Sequence, residues 1–554
     1  MNDTAMHEFD AVELGILWDR LVSISDEIVS TLVRTSFSTI VSESYDLTVV
    51  VLDREGRLVA QGSYSVPVFI GTAPRTLKFM LEKFPPESLR PGDVICTNDP
   101  WMGTGHLFDI NVMRPVFRGD ELVGYTMSIT HLPDIGGMGF GASASEIYHE
   151  GLRLPICKLV REGTVDDFVI DLVRANVRVP DATIGDLMAN VTCNEVGGRQ
   201  LLEFMAEYDI DDLSPLSRAI RAQSERAMRD KIREIQNGIY ENRILIEAID
   251  EPIPLACRID VQDEEISIDF DGTGDCVRRG INVPFCYTNA MSLYSIKCIT
   301  IPNLPNNEGA TRPVRVTAPE GCLLNAQPPF PTGGRHAIGH FVPGLIFGAL
   351  AEAAPDKVQA DNGMMDLLTI QSTHPDGRPV STISFVAGGF GALEGQDGRD
   401  CLPGPSNMAA VPVEVWESIT GMTVVRKKLR PDSGGPGAAR GGVGQEMTFR
   451  NDTGKPMTVF SMGNRTDFAP PGYVGGKPGA LREHKVNGMT VHPKGSQVLQ
   501  PGDEITLIQA GGGGIGDPAD RPAGLIERDL ELGLVTPEGA ARDYGYTVRS
   551  ASDG

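Results

Sequence analysis

Two apolar runs joined by a tight turn constrain this chain more than any other stretch. Val112 to Phe117 and Leu122 to Ile129 have the composition of buried strands, and Arg118-Gly119-Asp120 between them reads as a hairpin turn. An antiparallel pair joined in this way brings its outer ends together. At one end the loop TNDPWMGTGH, Thr97 to His106, leads to Asp109. At the other end Thr130-His131-Leu132-Pro133-Asp134 runs into a second glycine-rich loop. The hairpin therefore converges two imidazoles and a carboxylate, and the glycine loops leave room for a substrate. Two His and one carboxylate suit Zn, Mn or Fe with coordination positions left open. The spacing alone also allows a plainer outcome, in which His106 caps a turn and His131 bonds to neighbouring backbone.

The rest of the composition sets the class. A chain of 554 residues, 41% hydrophobic and 22% charged, is long enough for several packed subdomains. Its 63 glycines imply more loops and tight turns than an all-helical chain needs. Lys+Arg number 49 against 74 Asp+Glu, a net charge of -25, which argues against nucleic acid as a partner. No apolar run reaches the ~18 residues of a membrane-spanning helix. MNDTAMHEFD has neither the basic region nor the apolar core of a secretory signal. Nine cysteines without CxxC spacing fit a reducing compartment. The expectation is a cytoplasmic protein with no membrane partner.

Periodicity divides the chain. Leu17, Leu21, Ile24, Ile28 and Leu32 form one stripe of a helix over residues 10–37. Asp46 precedes a valine-rich strand, Leu47 to Leu52, whose turn at Asp53-Arg54-Glu55-Gly56-Arg57 returns through Leu58 to Ala60. His149 and Glu150 near the second glycine loop read as surface groups, with orienting a ligand of the site as the alternative. Arg178 reads as a structural ion-pair partner, with a bound carboxylate or phosphate as the alternative. Helices are expected over 185–207 and from Ser214-Pro215 onward. Strand alternation takes over near residue 240, in Cys257 to Val261 and Ile266 to Phe270. From 381 glycine runs alternate with short strands such as Glu446 to Arg450 and Met457 to Met462. The predicted fold class is α/β (mixed α+β) with several subdomains. It comprises a helical N-terminal metal-site domain (1–240), a central α/β domain (241–380) and a glycine-rich, β-containing C-terminal domain (381–554).

A second chemically suggestive place is Pro331 to His340, PTGGRHAIGH. Arg335, His336 and His340 at a glycine-rich helix start suit an anion, although helix capping plus surface charge is the weightier reading. None of the glycine runs contains GxxxxGK[ST], so no phosphate-binding loop is present. Gly389-Phe390-Gly391 opens no βαβ unit, and no GxSxG elbow occurs.

Taken together, GDVICTNDPWMGTGHLFDINVMRPVF and THLPDIGG resemble the hydantoinase B/oxoprolinase family, which includes the alpha-type subunits of acetone and acetophenone carboxylases. ESYDLTVVVLDREGRLVAQ, NVRVPDATIGDLMAN, DFDGTG, LRPDSGGPGAARGGVG and AGGGGIGDP extend the resemblance along nearly the whole chain. The resemblance implies a divalent metal, Zn or Mn, held by Asp46, His106, Asp109 and His131, with His106, Asp109 and His131 as the catalytic set. It also implies ATP held by a separate hydantoinase A-like partner, in a hetero-oligomer such as (αβ)2. The implied reaction is ATP-dependent opening of a cyclic amide: a hydantoin, a lactam or a 5-oxoproline-like ring. ATP makes chemical sense because hydrolysing an unstrained cyclic amide can be uphill. ATP-dependent carboxylation of a ketone is the alternative within the family, and a non-catalytic, metal-stabilised scaffold is the alternative outside it. Phe69 stands where relatives carry a His, which implies a more apolar substrate.

Overall fold

The expected hairpin lies inside a seven-stranded antiparallel sheet in the computed structural model, which describes residues 9–547. The strands are β1 (Leu47–Asp53), β2 (Leu58–Gln61), β3 (Val94–Thr97), β4 (Asp109–Arg118), β5 (Glu121–His131), β6 (Cys157–Arg161) and β7 (Thr164–Val165). Their spatial order is β2-β1-β5-β4-β3-β6-β7, so the hairpin β4–β5 is flanked on both sides. Both hairpin strands are longer than the apolar runs suggested, because Asp109 and His131 join the ladder as its last directly opposed pair. Gly119 turns the chain with φ +63°, a left-handed conformation that side chains resist.

Two helices brace this sheet. Ala11–Thr35 starts at Asp10, whose carboxylate accepts from the N–H groups of Val12 and Glu13. Its stripe of Leu17, Leu21, Ile24, Ile28 and Leu32 is buried. Against it lies Pro180–Glu207, which begins five residues before the expected Gly185, with Pro180 in the first turn. Gly197 lets Ile28 come close: a Cβ there would sit 2.4 Å from the Ile28 Cδ1. The same helix bonds the back of β5. Asn194 donates to the Ser128 hydroxyl at 2.6 Å, Ser128 donates to Asn190 at 2.7 Å, and Asn190 donates to Thr130 at 2.9 Å. Side chains alternate faces along a strand, so this buried ladder on Ser128 and Thr130 turns Ile129 and His131 to the opposite face.

The described residues form three further sheets. One orders Val314–Thr317, Glu265–Asp269, Ile253–Gln262 and Gly238–Ile246, so strand structure begins beside residue 240. A second orders Pro379–Ala387, Met365–Thr373, Met457–Met462 and Lys494–Leu499. The 380/381 division falls inside its first strand, and sheet pairing runs across it. A third orders Met422–Leu429, Gln445–Asn451, Glu504–Ile508, Glu483–Val486 and Met489–Thr490. The architecture is mixed α/β with several subdomains, and no described helix is long and apolar enough to cross a membrane.

The glycine runs of the C-terminal part do something other than turn. Gly389, Gly441, Gly442 and Gly511 to Gly514 are absent from the left-handed region. They stack extended backbone directly on backbone instead. A Cβ on Gly389 would lie 1.8 Å from the Gly442 carbonyl oxygen, one on Gly441 2.0 Å from that of Gly512, and one on Gly511 1.7 Å from that of Ser433. Their N–H groups bond between runs: Gly389 to Ala510, Gly442 to Phe390, Gly512 to Gly442, and Gly513 to Asp361. The expected glycine turns are present at Gly421, Gly488 and Gly502, all at positive φ, whereas in the runs it is close approach that excludes side chains.

Candidate metal centre

Three neighbouring strands carry the site. Asp109 opens β4 and is paired with His131, which closes β5. The His131 N–H donates to the carbonyl of Asp46 at 3.2 Å, so Asp46 sits at the mouth of β1 on the other side. His106 enters from the loop between β3 and β4. That loop is pinned by Asn98, whose amide donates to the carbonyls of Leu107 at 2.7 Å and Leu152 at 2.9 Å.

The side chains meet. His106 Nε2 is 2.7 Å from Asp109 Oδ1, and His131 Nδ1 is 3.3 Å from the same oxygen and 3.6 Å from Asp46 Oδ2. His106, Asp109 and His131 are almost fully buried. His106 Nδ1 lies 3.0 Å from the carbonyl oxygen of Gly333, which assigns its proton to Nδ1 and presents the Nε2 lone pair to the cavity. His106 Nε2, Asp109 Oδ1 and His131 Nε2 are buried without hydrogen-bond geometry to any partner. One ligand atom from each of the three residues lies within 4.8 Å of the others. Buried polar atoms are rarely orphaned, and two imidazoles and a carboxylate aimed at one point are a donor set that fits a divalent cation. Asp46, the expected fourth ligand, stands beside His131 at the rim.

Arg335 completes the electrostatics, with an outcome that corrects the anion-site reading. Its Nη2 donates to Asp109 Oδ2 at 2.6 Å and its Nε to the Thr104 carbonyl at 2.7 Å. The guanidinium lies 4.6 Å over the Tyr287 ring. Gly105, at φ +87°, allows this: a Cβ there would lie 2.7 Å from the Arg335 Cδ. Arg335 is thus spent on a carboxylate of the same site. His336 and His340 are buried beside it, and His336 Nε2 has no partner.

Burial and these charges fix protonation. Burial, reinforced by the Arg335 charge, pulls His106 down to about 4, so its imidazole is neutral near pH 7. Burial alone would raise Asp109, but His106, protonated in the acid range where the carboxyl would titrate, and the Arg335 charge override it and hold the carboxyl well below its usual range. Burial pushes Asp46 up to about 6, with the His131 charge opposing. Burial lowers His340 to about 3 and, with the charges around it, holds His336 well below its ordinary range.

Around these groups the cavity wall is apolar: Val66, Val68, Phe140, Leu367, Phe385 and Met408. Phe69 packs in the core and is absent from that wall, so the apolar lining of this segment comes from its neighbours Val66 and Val68. Glu150 is not the surface group that its polar neighbourhood suggests. It is 2% exposed and accepts from the Gly333 N–H at 2.7 Å, steadying the segment whose carbonyl faces His106. Nothing local in the sequence announces that contact. Arg178 does form the expected ion pair, 2.9 Å from Asp134.

A sequence profile of the Hydantoinase B/oxoprolinase family matches residues 10–518. The chain belongs to that family. It is 28% identical over 580 residues to a Pseudomonas protein described as the putative B-type component of a D-/L-hydantoinase, covering 99% of this chain and 97% of the relative. It is also 28% identical over 579 residues to the beta component of the caprolactamase of Pseudomonas jessenii, covering 98% and 97%. The crystal structure of the ATP-dependent caprolactamase from Pseudomonas jessenii superposes with a TM-score of 0.89 at 26% identity, over 99% of this chain and 98% of that one. A nucleotide-free acetone carboxylase structure gives 0.86 at 18% identity over 98% of this chain and 80% of that one, a likeness of fold alone. Both of these relatives are named as subunits.

Proposed function

We propose that this hydantoinase B-type chain is the metal-bearing subunit of an ATP-dependent cyclic amide hydrolase, working with a separate, ATP-binding partner of hydantoinase A type. The observation that carries the reading is the buried, orphaned set of His106 Nε2, Asp109 Oδ1 and His131 Nε2 at the end of one hairpin. Family membership and the hydrolase names of full-length relatives support it.

In this reading Asp46, His106, Asp109 and His131 hold a divalent metal, Zn or Mn. A metal bound there supplies Lewis acidity toward the amide carbonyl and an acidic water. The chain's own residues do the rest. Gly333 fixes the His106 tautomer through its carbonyl, and Arg335 holds Asp109 by Oδ2 so that Oδ1 stays turned to the cavity. Asp46, beside His131 at the rim, would complete the ligand set as the ionised carboxylate, because a neighbouring cation favours the charged form. Phe140, Leu367 and Phe385 keep bulk water from the reacting bond. Arg335, the cation lining this cavity, is already engaged at Nε and Nη2, so the site favours an uncharged ring over one bearing a carboxylate.

The test is an assay of the chain co-purified with a hydantoinase A-like partner, with ATP, against hydantoins, lactams, 5-oxoproline, and ketones with bicarbonate. Ring opening that needs both proteins, ATP and metal is the expected result. Consumption of ketone and bicarbonate alone would overturn it in favour of carboxylation.

A further inference from the structure

Away from the metal centre, Cys96 on β3 and Cys157 on β6 are direct partners across the antiparallel ladder. Their Sγ atoms are 3.7 Å apart, and both are free thiols. Opposed residues in such a ladder have Cα atoms ~4.5–5.5 Å apart, inside the ~4.4–6.8 Å range that disulfides span. Being paired in register, the two side chains already share a face. Closing the pair therefore asks for a shift of the sulfurs to ~2.05 Å with little backbone movement.

The surroundings divide the labour between the two. Cys96 is fully buried, while Cys157 is partly exposed. The Cys96 thiol lies within hydrogen-bonding distance of Cys157 and favours its thiolate against the cost of burial, and the charges of Lys83 and Arg161 act in the same direction. Lys83 holds its ammonium at the Ile156 carbonyl, 2.7 Å away, one residue from Cys157. Cys96 is shifted upward by its contact with Cys157 and by burial, so it stays protonated until a partner sulfur is presented to it. A partly exposed thiol near a lysine ammonium, beside a buried resolving thiol, is the arrangement that thiol–disulfide exchange requires.

We propose that Cys96 and Cys157 are a reversible redox pair that closes to a disulfide in the folded chain by exchange with a low-molecular-weight disulfide. The Cys157 thiolate attacks one sulfur of the small disulfide and expels the other half as a thiolate. Cys96 then gives up its proton and attacks Cys157 Sγ, expelling the second half. Two protein thiols are oxidised by two electrons, one small disulfide is reduced to two thiols, and the two protons end on those thiols. The bond would fasten β3 to β6 two residues before Asn98, the residue that pins the loop carrying His106.

The test uses the full folded chain, reduced and then exposed to oxidised glutathione. Alkylation after unfolding, with peptide mass spectrometry, should show two of the nine thiols protected and the peptides of Cys96 and Cys157 joined, with dithiothreitol restoring both. Cys96→Ser should stop at a glutathione adduct on Cys157, whereas Cys157→Ser should leave Cys96 unmodified. Nine alkylatable thiols in the treated wild-type chain, or a joined pair other than these two, would overturn the proposal. The wild-type measurement stands alone if either serine variant misfolds.

Discussion

Asp109 and His131 face each other directly across β4 and β5, the His131 Nδ1 lying 3.3 Å from the Asp109 Oδ1. Their separation is set by strand pairing, which a side-chain substitution elsewhere does not easily change. A cation held between them is therefore bound by the sheet as much as by the ligands. Purified chain should contain about one divalent metal per molecule, as a single such donor set implies. Because losing even an outer-shell partner costs ~10–100-fold in affinity, His106→Ala and His131→Ala should each lower affinity by at least ~10-fold. Elemental analysis decides this, and unchanged metal in both variants would exclude the assignment.

Asp109→Asn tests charge separately from shape. An amide fills the space of the carboxylate, so the fold and the β4–β5 ladder should survive. It lacks the charge that balances a cation and sets the acidity of bound water. Product formation by the variant with its partner should fall by ~10–100-fold or more, with metal content reduced. Near-normal turnover at low metal concentration would remove Asp109 from the ligand set.

Arg335→Met should be costly for a different reason. The substitution leaves the Asp109 Oδ2 charge buried without its 2.6 Å partner. Breaking one side of a buried ion pair costs roughly 3–5 kcal/mol, so the urea midpoint of metal-free protein should drop clearly. Added divalent metal should recover part of the loss, because it compensates the same carboxylate. An unchanged midpoint in metal-free protein would contradict the pairing.

Glu150 predicts a pH dependence. Burial raises its carboxyl from an ordinary 4.5 to about 7, against hydrogen bonds from Gly333 and Thr332 that lower it. Between those values the folded chain binds more protons than the unfolded one, so stability falls as pH rises through the window. The accumulated cost above pH 7 is about 3 kcal/mol by linkage. Glu150→Gln should match wild type near pH 4 and be more stable near pH 8, as read by denaturant titration at both values. Equal stability at pH 8 would show that Glu150 stays ionised at no cost.

Ring charge offers a test of specificity. In the assembled enzyme, 5-oxoproline should be turned over at least ~10-fold less efficiently than an uncharged lactam of similar size, since a desolvated carboxylate without a partner costs at least ~1.4 kcal/mol. Comparable kcat/KM for both rings would mean that Arg335 releases Asp109 to receive the substrate.

The hairpin is legible in the sequence because its signals are local: two apolar runs, a glycine turn, and polar residues at both ends. Periodicity also marks the helix Ala11–Thr35 and the strand onset near 240. Arg335 is visible only as a charge beside glycines, since its partner Asp109 lies 226 residues away. Glu150 is hidden for the same reason, being 183 residues from Gly333. The cavity wall from Leu367, Phe385 and Met408 is contributed by strands and loops with no sequence link to the metal loop. Glycine content is plain in the sequence and its purpose is not, because composition does not distinguish a backbone that must bend from one that must be approached.

Close approach among the glycines bears on how the protein is made. Gly388 rests against the carbonyls of Met364 and Ala510, Gly389 donates to Ala510, and Ala392 donates to Gly513. The strands that follow Met364 and precede Gly388 supply Leu367 and Phe385 to the cavity. Their seating thus depends on residues 510–514, more than a hundred positions downstream. A chain emerging from the ribosome can assemble the β4–β5 hairpin early, from contacts close in sequence. The opposite side of the cavity must wait for the closing glycines, so a nascent or prematurely terminated chain would present His106, Asp109 and His131 to water with Leu367 and Phe385 missing from their enclosure.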